Sequence, residues 1–351
     1  MDTTLFFFVL ALSATLAATP VVRRVARRIG FLDRPAARKL QKNPIPLMGG
    51  VAISAAVILA MFFAGYRFWP ELGSILGGAA LLSILGLWDD RVDLPALAKL
   101  AGQILVTAGL IATGVQVNLG WLPAWANVLL TIGWVVGISN AINFLDNMDG
   151  LAGGISAVAA GYLMVIAAMN GQYLVSSFAA AVFGACLGFL VFNSRPASIF
   201  MGDSGSLFLG FILAAIGIKL RFPTNVNTVT WMVPVLVLGV PLFDTTLVTI
   251  SRIRRGVNPF TTAGKDHTSH RLADRGMTHR EAVFALYLAG CFLGLLAIFV
   301  MQAALREAYV VAGGIALLCA YALWQLEFKS ARKHDDKTQN PPISGASIPD
   351  A

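Results

Sequence analysis

The sequence from Asn140 to Gly154 reads N-A-I-N-F-L-D-N-M-D-G-L-A-G-G and lies between two apolar runs, residues 128–138 and 155–168. Polar side chains wedged between membrane-length apolar segments are costly, and by default they mark a functional site. A simple Asn/Asp/Gly turn between two helices would need fewer such residues than this stretch contains. The stretch therefore predicts two membrane helices joined by a polar turn that carries function.

The amide and carboxylate side chains of this stretch have helical spacing. If the first helix continues, Asn140, Asn143 and Asn147 share one stripe, because they are three and four residues apart. Asp146 lies beside that stripe, and Asp149 follows one turn later. Converging amide and carboxylate oxygens suit a hard cation such as Mg²⁺, so we expect them to contribute to a Mg²⁺ site.

The composition of the chain indicates an integral membrane protein. Of its 351 residues, 57% are hydrophobic and only 13% are charged, which is too apolar for a soluble domain of this length. The net charge of +8 is concentrated in a few loops between apolar segments, so it indicates membrane topology rather than nucleic-acid binding. Cys186, Cys291 and Cys319 lie far apart without metal-type spacing, and we interpret them as buried hydrophobic residues.

Eleven segments approach the length that a bilayer requires, which predicts an all-α polytopic fold. Their approximate limits are 3–22, 48–66, 71–88, 96–114, 126–144, 151–169, 174–192, 204–221, 229–250, 281–303 and 307–327. Arginines follow the first segment at positions 23, 24, 27 and 28, whereas a cleaved signal peptide has its positive charge in front. We therefore expect the first segment to be a retained span with the N-terminus outside.

The distribution of Lys and Arg predicts the orientation. The loops placed inside hold 22 of the 26 Lys and Arg residues, and the other four are Arg67, Lys219, Arg221 and Arg306. This positive-inside bias predicts a cytoplasmic C-terminus and an odd number of spans. We expect one transmembrane domain over residues 1–328. The residues 329–351 should form a disordered cytoplasmic tail, because that segment is polar and holds three prolines.

The polar residues that the spans do not explain all fall at the predicted inner face. They are Asp89, Asp90, Asp93, Lys99, Gln103, Asn143, Asp146, Asp149, Asn193, Asp203, Asp244, Arg252, Arg254, Arg255, His267, His270 and Arg271. Carboxylates can hold Mg²⁺, Mg²⁺ neutralises phosphate oxygens, and Arg and Lys can bind the rest of a pyrophosphate. The sequence has no P-loop and no kinase signature, which disfavours an ATP-driven pump. We expect a soluble phosphate donor to meet a lipid acceptor at the inner leaflet.

Seven motifs then carry a family resemblance, in family order from about residue 30 to 272. They are Asp33–Gly50, D-D-R-V-D (Asp89–Asp93), K-x-x-x-Q (Lys99–Gln103), Asn140–Gly154, F-N-S-R-P-A-S-I-F-M-G-D-S-G-S (Phe192–Ser206), P-L-F-D-T (Pro241–Thr245) and Arg252–Leu272. Together they resemble the polyprenyl-phosphate N-acetylhexosamine-1-phosphate transferases of the glycosyltransferase 4 type. Within that family, the chain is most similar to the undecaprenyl-phosphate GlcNAc-1-phosphate transferase branch.

The resemblance implies a reaction between a UDP-sugar and polyprenyl (undecaprenyl) phosphate. N-acetylhexosamine-1-phosphate, most simply GlcNAc-1-phosphate, would pass to the lipid and release UMP, as the first membrane step of cell-wall or surface polysaccharide synthesis. The cofactor implied is Mg²⁺, with Mn²⁺ as an alternative. The enzyme would lie in the bacterial inner membrane with its site on the cytoplasmic face, either as a monomer or as a homodimer.

The resemblance also implies roles for individual residues. Asn143 and Asp203 would be the metal ligands, and the catalytic group would comprise Asp89, Asp90, Asp146 and the phosphate-binding Lys99. Phe200 would stack on uracil, and Asp149 would hydrogen-bond its edge. The nucleotide-sugar side would be lined by Arg252, Arg254, His267 and His270, with Lys42 near the nucleotide.

Asp89 is the family's candidate base, but elementary chemistry favours another role. A phosphate monoester has a second pKa of about 6, so the lipid acceptor is already mostly dianionic at neutral pH. It hardly needs a base. We therefore expect Asp89 to orient the acceptor or act through its charge, in a reaction driven by positioning and charge neutralisation.

Two departures from the family pattern and two alternatives remain. The family often has a further His where this chain has Ser269, and another where it has Gln41. The adjacent histidines of the UDP-MurNAc-pentapeptide branch are absent, which favours a UDP-GlcNAc-type donor. UDP-MurNAc-pentapeptide and a UDP-linked deoxy-amino sugar are the alternative donors. A secondary transporter is the rival from another class, but its site should lie near the midplane within repeated halves, and we find no internal repeat.

Overall fold

The computed structural model describes residues 2–33, 44–63, 69–259 and 264–329, and they are mostly helical, as predicted. The helices are α1 (Asp2–Arg28), α2 (Gly49–Phe62), α3 (Trp69–Val92), α4 (Ala96–Ala112), α5 (Ala124–Leu145), α6 (Leu151–Met169), α7 (Tyr173–Asn193), α8 (Asp203–Lys219), α9 (Asn227–Thr230), α10 (Met232–Val237), α11 (Gly239–Arg254), α12 (Thr268–Ala273), α13 (His279–Val300) and α14 (Leu305–Leu323). A π-helical turn, Trp324–Lys329, continues α14. Two short antiparallel strands, β1 (Leu32–Asp33) and β2 (Ile45–Pro46), precede α2.

The lengths and compositions of these helices make the chain a membrane protein. Within the described residues, α1, α3, α5, α6, α7, α13 and α14 are long and apolar enough to cross a bilayer. The segment from α9 to α11 is an eighth candidate, broken by a bend of 74°. The helices α2, α4 and α8 have 14, 17 and 17 residues. Ten of the eleven predicted segments overlap one α-helix each, and the segment 229–250 overlaps α9, α10 and α11. The count of eleven spans and the orientation stay predictions.

Helix α8 occupies the centre of the bundle. Every residue from Ser204 to Ile218 is buried, and α2, α3, α5 and α6 pack around it. A helix that is apolar on all sides is buried on all sides, which the sequence of α8 satisfies. Its N-terminal residue, Asp203, lies at the end of the bundle where α3 and α5 end.

Two glycines allow the neighbouring backbones to reach the first turn of α8. A Cβ atom on Gly50 of α2 would lie 2.0 Å from the backbone nitrogen of Gly205. A Cβ atom on Gly86 of α3 would lie 2.4 Å from the carbonyl carbon of Asp203. Since larger residues cannot fit at these contacts, α2 and α3 fix the position of Asp203 from two sides.

The end of α5 differs from the expected helical stripe. The helix ends at Leu145, so Asn140 and Asn143 lie within it while Asn147 lies in the following loop. The prediction of one stripe through all three asparagines was therefore wrong at Asn147. The chain then turns through Gly150, whose φ of +79° favours glycine, into α6. Of the predicted tail, residues 330–351 lie outside the described residues.

Candidate active site

The start of α8 is capped by a side chain from another helix. The Asp203 main-chain N–H donates a hydrogen bond of 3.1 Å to Oδ1 of Asp90, which lies in the last turns of α3. The Ser204 N–H is hydrogen-bonded to the same carboxyl group. A carboxylate at a helix N-terminus is favourable because free N–H groups point toward it. Asp90 therefore joins the ends of α3 and α8.

Lys99 is the cation of this cluster. Its ammonium lies 2.7 Å from Oδ2 of Asp89 and 4.0 Å from Oδ2 of Asp203. Oδ1 of Asp89 accepts a hydrogen bond of 2.7 Å from the Leu94 N–H, which holds the carboxylate in place. Lys99 therefore lies between the carboxyl groups of Asp89 and Asp203. Residues from α3, α4 and α8 thus meet at one point.

Asn143 reaches the same point from α5. Its Nδ2 donates a bond of 2.9 Å to Oγ of Ser206, one turn after Asp203, which places its amide beside the Asp203 carboxyl group. The two residues that the resemblance assigned to metal binding are therefore neighbours. Ser206, which the sequence reasoning did not single out, orients the Asn143 amide.

Asp146 adds a further acid just after α5. Its carboxyl group is hydrogen-bonded to the Gly202 backbone, in the turn that precedes α8. Burial, followed by the negative charge of Asp203, raises the pKa of Asp146 to about 7. Such crowding of acids around one Lys is costly unless another cation completes the site.

A second group of predicted residues lies on α11 and on the loop and helix α12 that follow it, and its members are Asp244, Arg252, Arg254, His267 and His270. Nδ1 of His267 lies 2.8 Å from Oδ2 of Asp244, a buried residue of α11. Oδ1 of Asp244 accepts a bond of 2.6 Å from the Thr268 N–H. Both oxygens of Asp244 thus hold the start of α12, and the Nδ1 contact fixes the orientation of the His267 ring.

Arg252 is held by a buried acid from the same loop. Its Nε and Nη2 atoms donate to the two oxygens of Asp266 at 3.0 and 3.1 Å, in a bidentate pair. Arg255 pairs with the same carboxylate. Burial alone would raise the pKa of Asp266, but the hydrogen bonds and charge of Arg252 lower it to about 2. The pair is therefore fully ionised at neutral pH.

Arg254 and Arg271 share a third acid, from the π-helical turn. Glu327 is buried and lies 2.8 Å from Nη2 of Arg254 and 2.6 Å from Nη1 of Arg271. Arg271 also donates to the Asp266 carbonyl and to Oγ of Ser251, each at 2.8 Å. The C-terminal end of α14 is thereby attached to the loop that carries the predicted donor-binding residues.

The second group lies beside the first group, which is the cluster of Asp89, Asp90, Lys99, Asn143, Asp146 and Asp203. The Phe144 ring lies 6.2 Å from the His267 ring and 5.7 Å from the Arg252 guanidinium, measured to ring centroids. Oγ of Ser269 donates a bond of 2.7 Å to Oδ1 of Asn147. Ser269 stands where the family often has His, and here it ties the last loop to the loop after α5.

His270 lies on α12, next to Ser269 in the sequence. Its ring centroid lies 6.3 Å from that of His267. Burial, with smaller contributions from the neighbouring His267 and Lys265, lowers the pKa of His270. The ring is therefore neutral at pH 7, so it can both donate and accept a hydrogen bond.

Phe200 and Asp149 are both held by hydrogen bonds to backbone groups. The Phe200 backbone is hydrogen-bonded to Pro46 and Gly49, both at 2.8 Å, next to β2. Oδ2 of Asp149 accepts a bond of 3.2 Å from the Ala197 N–H, three residues before Phe200. Stacking of Phe200 on uracil and a hydrogen bond from Asp149 to its edge stay predictions, and Lys42 lies outside the described residues.

Sequence reasoning missed the acids that organise the last loop, Asp266 and Glu327. Asp266 precedes His267, but its pairing with Arg252 depends on the folded loop. Glu327 carried a usable signal, since an acid within an apolar, membrane-length segment is a functional or structural site by default. Gln103 and Asn140 were named as polar residues, and their reciprocal hydrogen bonds join α4 to α5.

The acids of the first group do not form a complete metal-binding shell from protein atoms alone. Among the described residues, no three Asp, Glu, His or Cys side chains are arranged to hold a metal ion. Mg²⁺ is usually bound by one or two carboxylates together with waters and substrate phosphates. A pair such as Asn143 and Asp203 is compatible with that mode of binding.

Comparison with known proteins bears on this arrangement. A family model described as glycosyl transferase family 4 matches residues 72–221, which contain the whole first group. A Bacillus subtilis (strain 168) protein, the probable undecaprenyl-phosphate N-acetylglucosaminyl 1-phosphate transferase, is 36% identical over 304 residues, 84% of each chain. The chain belongs to glycosyl transferase family 4.

Other relatives in this family have similar names. The decaprenyl-phosphate N-acetylglucosaminephosphotransferase of Mycobacterium tuberculosis (strain ATCC 25618 / H37Rv) is 33% identical, covering 78% of this chain and 76% of that protein. The undecaprenyl-phosphate alpha-N-acetylglucosaminyl 1-phosphate transferase of Escherichia coli (strain K12) is 29% identical over 77% of each chain. The family resemblance predicted from the motifs is confirmed.

Proposed function

We propose that this protein transfers GlcNAc-1-phosphate from UDP-GlcNAc to a polyprenyl phosphate and releases UMP. The bond between the sugar-bearing phosphate and UMP breaks, and a bond from that phosphorus to a lipid phosphate oxygen forms. The approach of Asn143 to Asp203 beside the Asp89–Lys99 pair carries the proposal, because it offers a cation site next to a phosphate-binding ammonium. The names of the relatives supply the substrates.

The residues of the first group fit a bound Mg²⁺. Oδ2 of Asp90 is buried and has no hydrogen-bond partner in the described chain, and Asp89, Asp146 and Asp203 crowd around the same point. Asp203 and Asn143 would hold the ion, with Mn²⁺ as an alternative. When bound, the ion supplies charge neutralisation for the phosphate oxygens. Asp90 keeps the Asp203 backbone in place through the helix cap.

Lys99 and Asp89 act on the phosphates in this proposal. The Lys99 ammonium, 2.7 Å from Asp89, is held where it can bind a phosphate oxygen. Asp89 already accepts hydrogen bonds from Lys99 and the Leu94 N–H, which suits an orienting group. Since the acceptor phosphate is already ionised at pH 7, no proton has to be removed from it.

The donor would be held by residues of the last loop. Arg252, Arg254, His267 and His270 line its sugar and phosphate side, and Arg254 can reach it while paired with Glu327, because its side chain is 40% exposed. Phe200 remains the proposed stacking partner of uracil, with Asp149 at its edge and Lys42 nearby.

We place the site on the cytoplasmic face of the bacterial inner membrane, in a fold of eleven spans with the N-terminus outside. The distribution of 22 of the 26 Lys and Arg residues among the loops on that side supports this orientation. The ends of α3, α5 and α11 and the start of α8 also meet at one end of the bundle, where both a soluble donor and a lipid phosphate can arrive.

One assay tests the proposal. Purified protein is incubated with Mg²⁺, polyprenyl phosphate and, separately, each member of a panel of UDP-sugars, and UMP is measured. We expect UMP with UDP-GlcNAc and none when the lipid or the metal is omitted. If UMP is released only with a UDP-deoxy-amino sugar or only with UDP-MurNAc-pentapeptide, that compound replaces UDP-GlcNAc as the donor. If no donor yields UMP, the proposed reaction is wrong.

A further inference from the structure

The start of α4, which carries Lys99, has few buried side chains to hold it. The buried residues of this helix are Gln103, Thr107 and Leu110, and none of the residues 96–102, all of which the structure describes, is buried. Lys99 lies four residues before Gln103, so the two side chains share one face of the helix. The first buried side chain behind Lys99 is therefore an amide and not an apolar group.

Gln103 forms a reciprocal amide pair with Asn140 of α5. Nδ2 of Asn140 donates to Oε1 of Gln103 at 2.6 Å, and Nε2 of Gln103 donates to Oδ1 of Asn140 at 3.4 Å. Nδ2 of Asn140 also donates to the carbonyl oxygen of Val136 at 2.8 Å, which fixes the orientation of the Asn140 amide. The side chain of Asn140 is thus held against its own helix and presented to α4.

Helix α5 is in turn fixed to the central helix next to Asn140. A Cβ atom on Gly210 of α8 would lie 2.5 Å from the Cα atom of Ser139, so the backbones of α5 and α8 are in contact there. Helix α8 begins at Asp203, and Asn143 follows Asn140 by three residues on α5. The amide pair therefore joins α4 to the two helices that carry the proposed metal ligands.

We propose that Gln103 and Asn140 are positioning residues that hold the Lys99 ammonium in place beside the proposed metal site. The pair lies about one helical turn from Lys99 on α4 and about one turn from Asn143 on α5. This role rests on the proposed function, in which Lys99 binds a phosphate oxygen. Neutral amides suit the task, because a carboxylate at this position would compete with phosphate for the ammonium.

A double-mutant cycle between Gln103 and Lys99 tests the proposal. The variants are Gln103→Leu, Lys99→Gln and their combination, in full-length protein purified in detergent. Native mass spectrometry measures the binding of undecaprenyl phosphate and, separately, of UDP-GlcNAc with Mg²⁺. We expect Lys99→Gln to weaken the binding of at least one of these substrates about tenfold, because a charge-assisted hydrogen bond to phosphate is lost.

The effect of Gln103→Leu should depend on the presence of the lysine. In the wild-type background we expect it to weaken binding of the same substrate at least about threefold. In the Lys99→Gln background it should change binding by less than about twofold, because Gln103 acts through Lys99 and the two effects are not additive. Asn140→Leu breaks the amide pair from α5, so it should reproduce the binding defect of Gln103→Leu and can replace that variant if it does not fold.

A matched control distinguishes this role from a loss of stability. The side chain of Gln172, before α7, is hydrogen-bonded to the backbone N–H and carbonyl oxygen of Arg221, at the opposite end of the bundle. Gln172→Leu therefore also removes a glutamine that joins two segments. We expect it to lower the temperature of thermal unfolding, as Gln103→Leu does, and to leave the binding of both substrates unchanged.

Three results would overturn the proposal. They are equal weakening by Gln103→Leu in both backgrounds, unchanged binding in both Gln103→Leu and Asn140→Leu, and unchanged binding of both substrates in Lys99→Gln. UMP release is measured on the same wild-type preparation. Its absence with every UDP-sugar would overturn the proposed reaction, whereas the binding cycle would still establish whether the amide pair positions Lys99.

Discussion

The Asp203 main-chain N–H donates its hydrogen bond to Oδ1 of Asp90, so a carboxylate of α3 caps the helix whose first residue is the proposed metal ligand. The cap and the ligand are therefore coupled, because displacing Asp90 also releases the backbone of Asp203. The resemblance placed Asp90 in the catalytic group and Asp203 among the metal ligands, and the geometry adds a backbone contact between the two. Asp90 acts on the backbone, and Asp203 offers its carboxylate to the site.

The cap makes a testable distinction between two substitutions of Asp90. Asp90→Asn keeps an oxygen that can accept the Asp203 N–H, whereas Asp90→Ala removes it. Loss of a helix cap costs about 1 kcal/mol. We expect thermal unfolding in detergent to show a lower stability for the Ala variant than for the Asn variant. Equal stabilities for the two would contradict the capping role.

Substitution of Asp203 tests the proposed metal site. Asp203→Asn keeps the size of the side chain but removes its charge, and a bound metal contributes several kcal/mol to phosphoryl transfer. We expect UMP release to fall by more than about a hundredfold. Asp93→Asn is the matched control, because Asp93 is an exposed neighbour of the cluster with a φ of 56°, which Asn tolerates. Wild-type rates in Asp203→Asn would remove it from the site.

Asp89 distinguishes a base from an orienting group. If Asp89 only positions Lys99 and the acceptor, Asp89→Asn lowers the rate at every pH, because the lipid phosphate is already ionised above a pKa of about 6. The measurement is UMP release from pH 6 to 9 for both proteins. Recovery of the variant's activity toward high pH would instead establish that Asp89 removes a proton.

Asp266 links stability to pH. Its folded pKa of about 2 lies below the ordinary value of 3.8, so its ion pair with Arg252 stabilises the fold above about pH 4. That contribution is lost as pH falls from about 4 through 2. At pH 7 we expect Asp266→Asn to lower the free energy of unfolding by about 2 kcal/mol. The difference from wild type should shrink toward pH 2, and Asp274→Asn, on an exposed residue, should show no such dependence.

The sequence predicts some of these relationships better than others. The meeting of Asn143 and Asp203 was predictable, because the ends of neighbouring membrane helices bring their polar residues to one face. The end of α5 at Leu145 was not predictable from spacing, because the helical spacing of the asparagines continues through Asn147. The helix ends where the polar loop begins. The position of Phe200 was not predictable either, because it depends on backbone bonds to residues 46 and 49, which are distant in sequence.

Glu327 is the acid that sequence reasoning overlooked, and it provides the last prediction. Its buried carboxylate holds Arg254 and Arg271, and Arg271 in turn bonds the Asp266 carbonyl. Glu327→Gln leaves the largely buried Arg271 without its counter-charge, which costs about 3 kcal/mol in such pairs. Because the affected loop carries the donor-side residues, we expect the KM for UDP-GlcNAc to rise several-fold more than kcat falls.

Two further variants separate positioning from general destabilisation by Glu327→Gln. Glu327→Asp retains the charge and should recover most of the KM, because a carboxylate can still reach at least one of the two arginines. Glu71→Gln removes the acid of an exposed pair with Lys219, which is worth less than about 1 kcal/mol, so it should leave both kinetic constants unchanged. If Glu327→Gln lowered kcat and left KM unchanged, the carboxylate would not position the donor-binding loop.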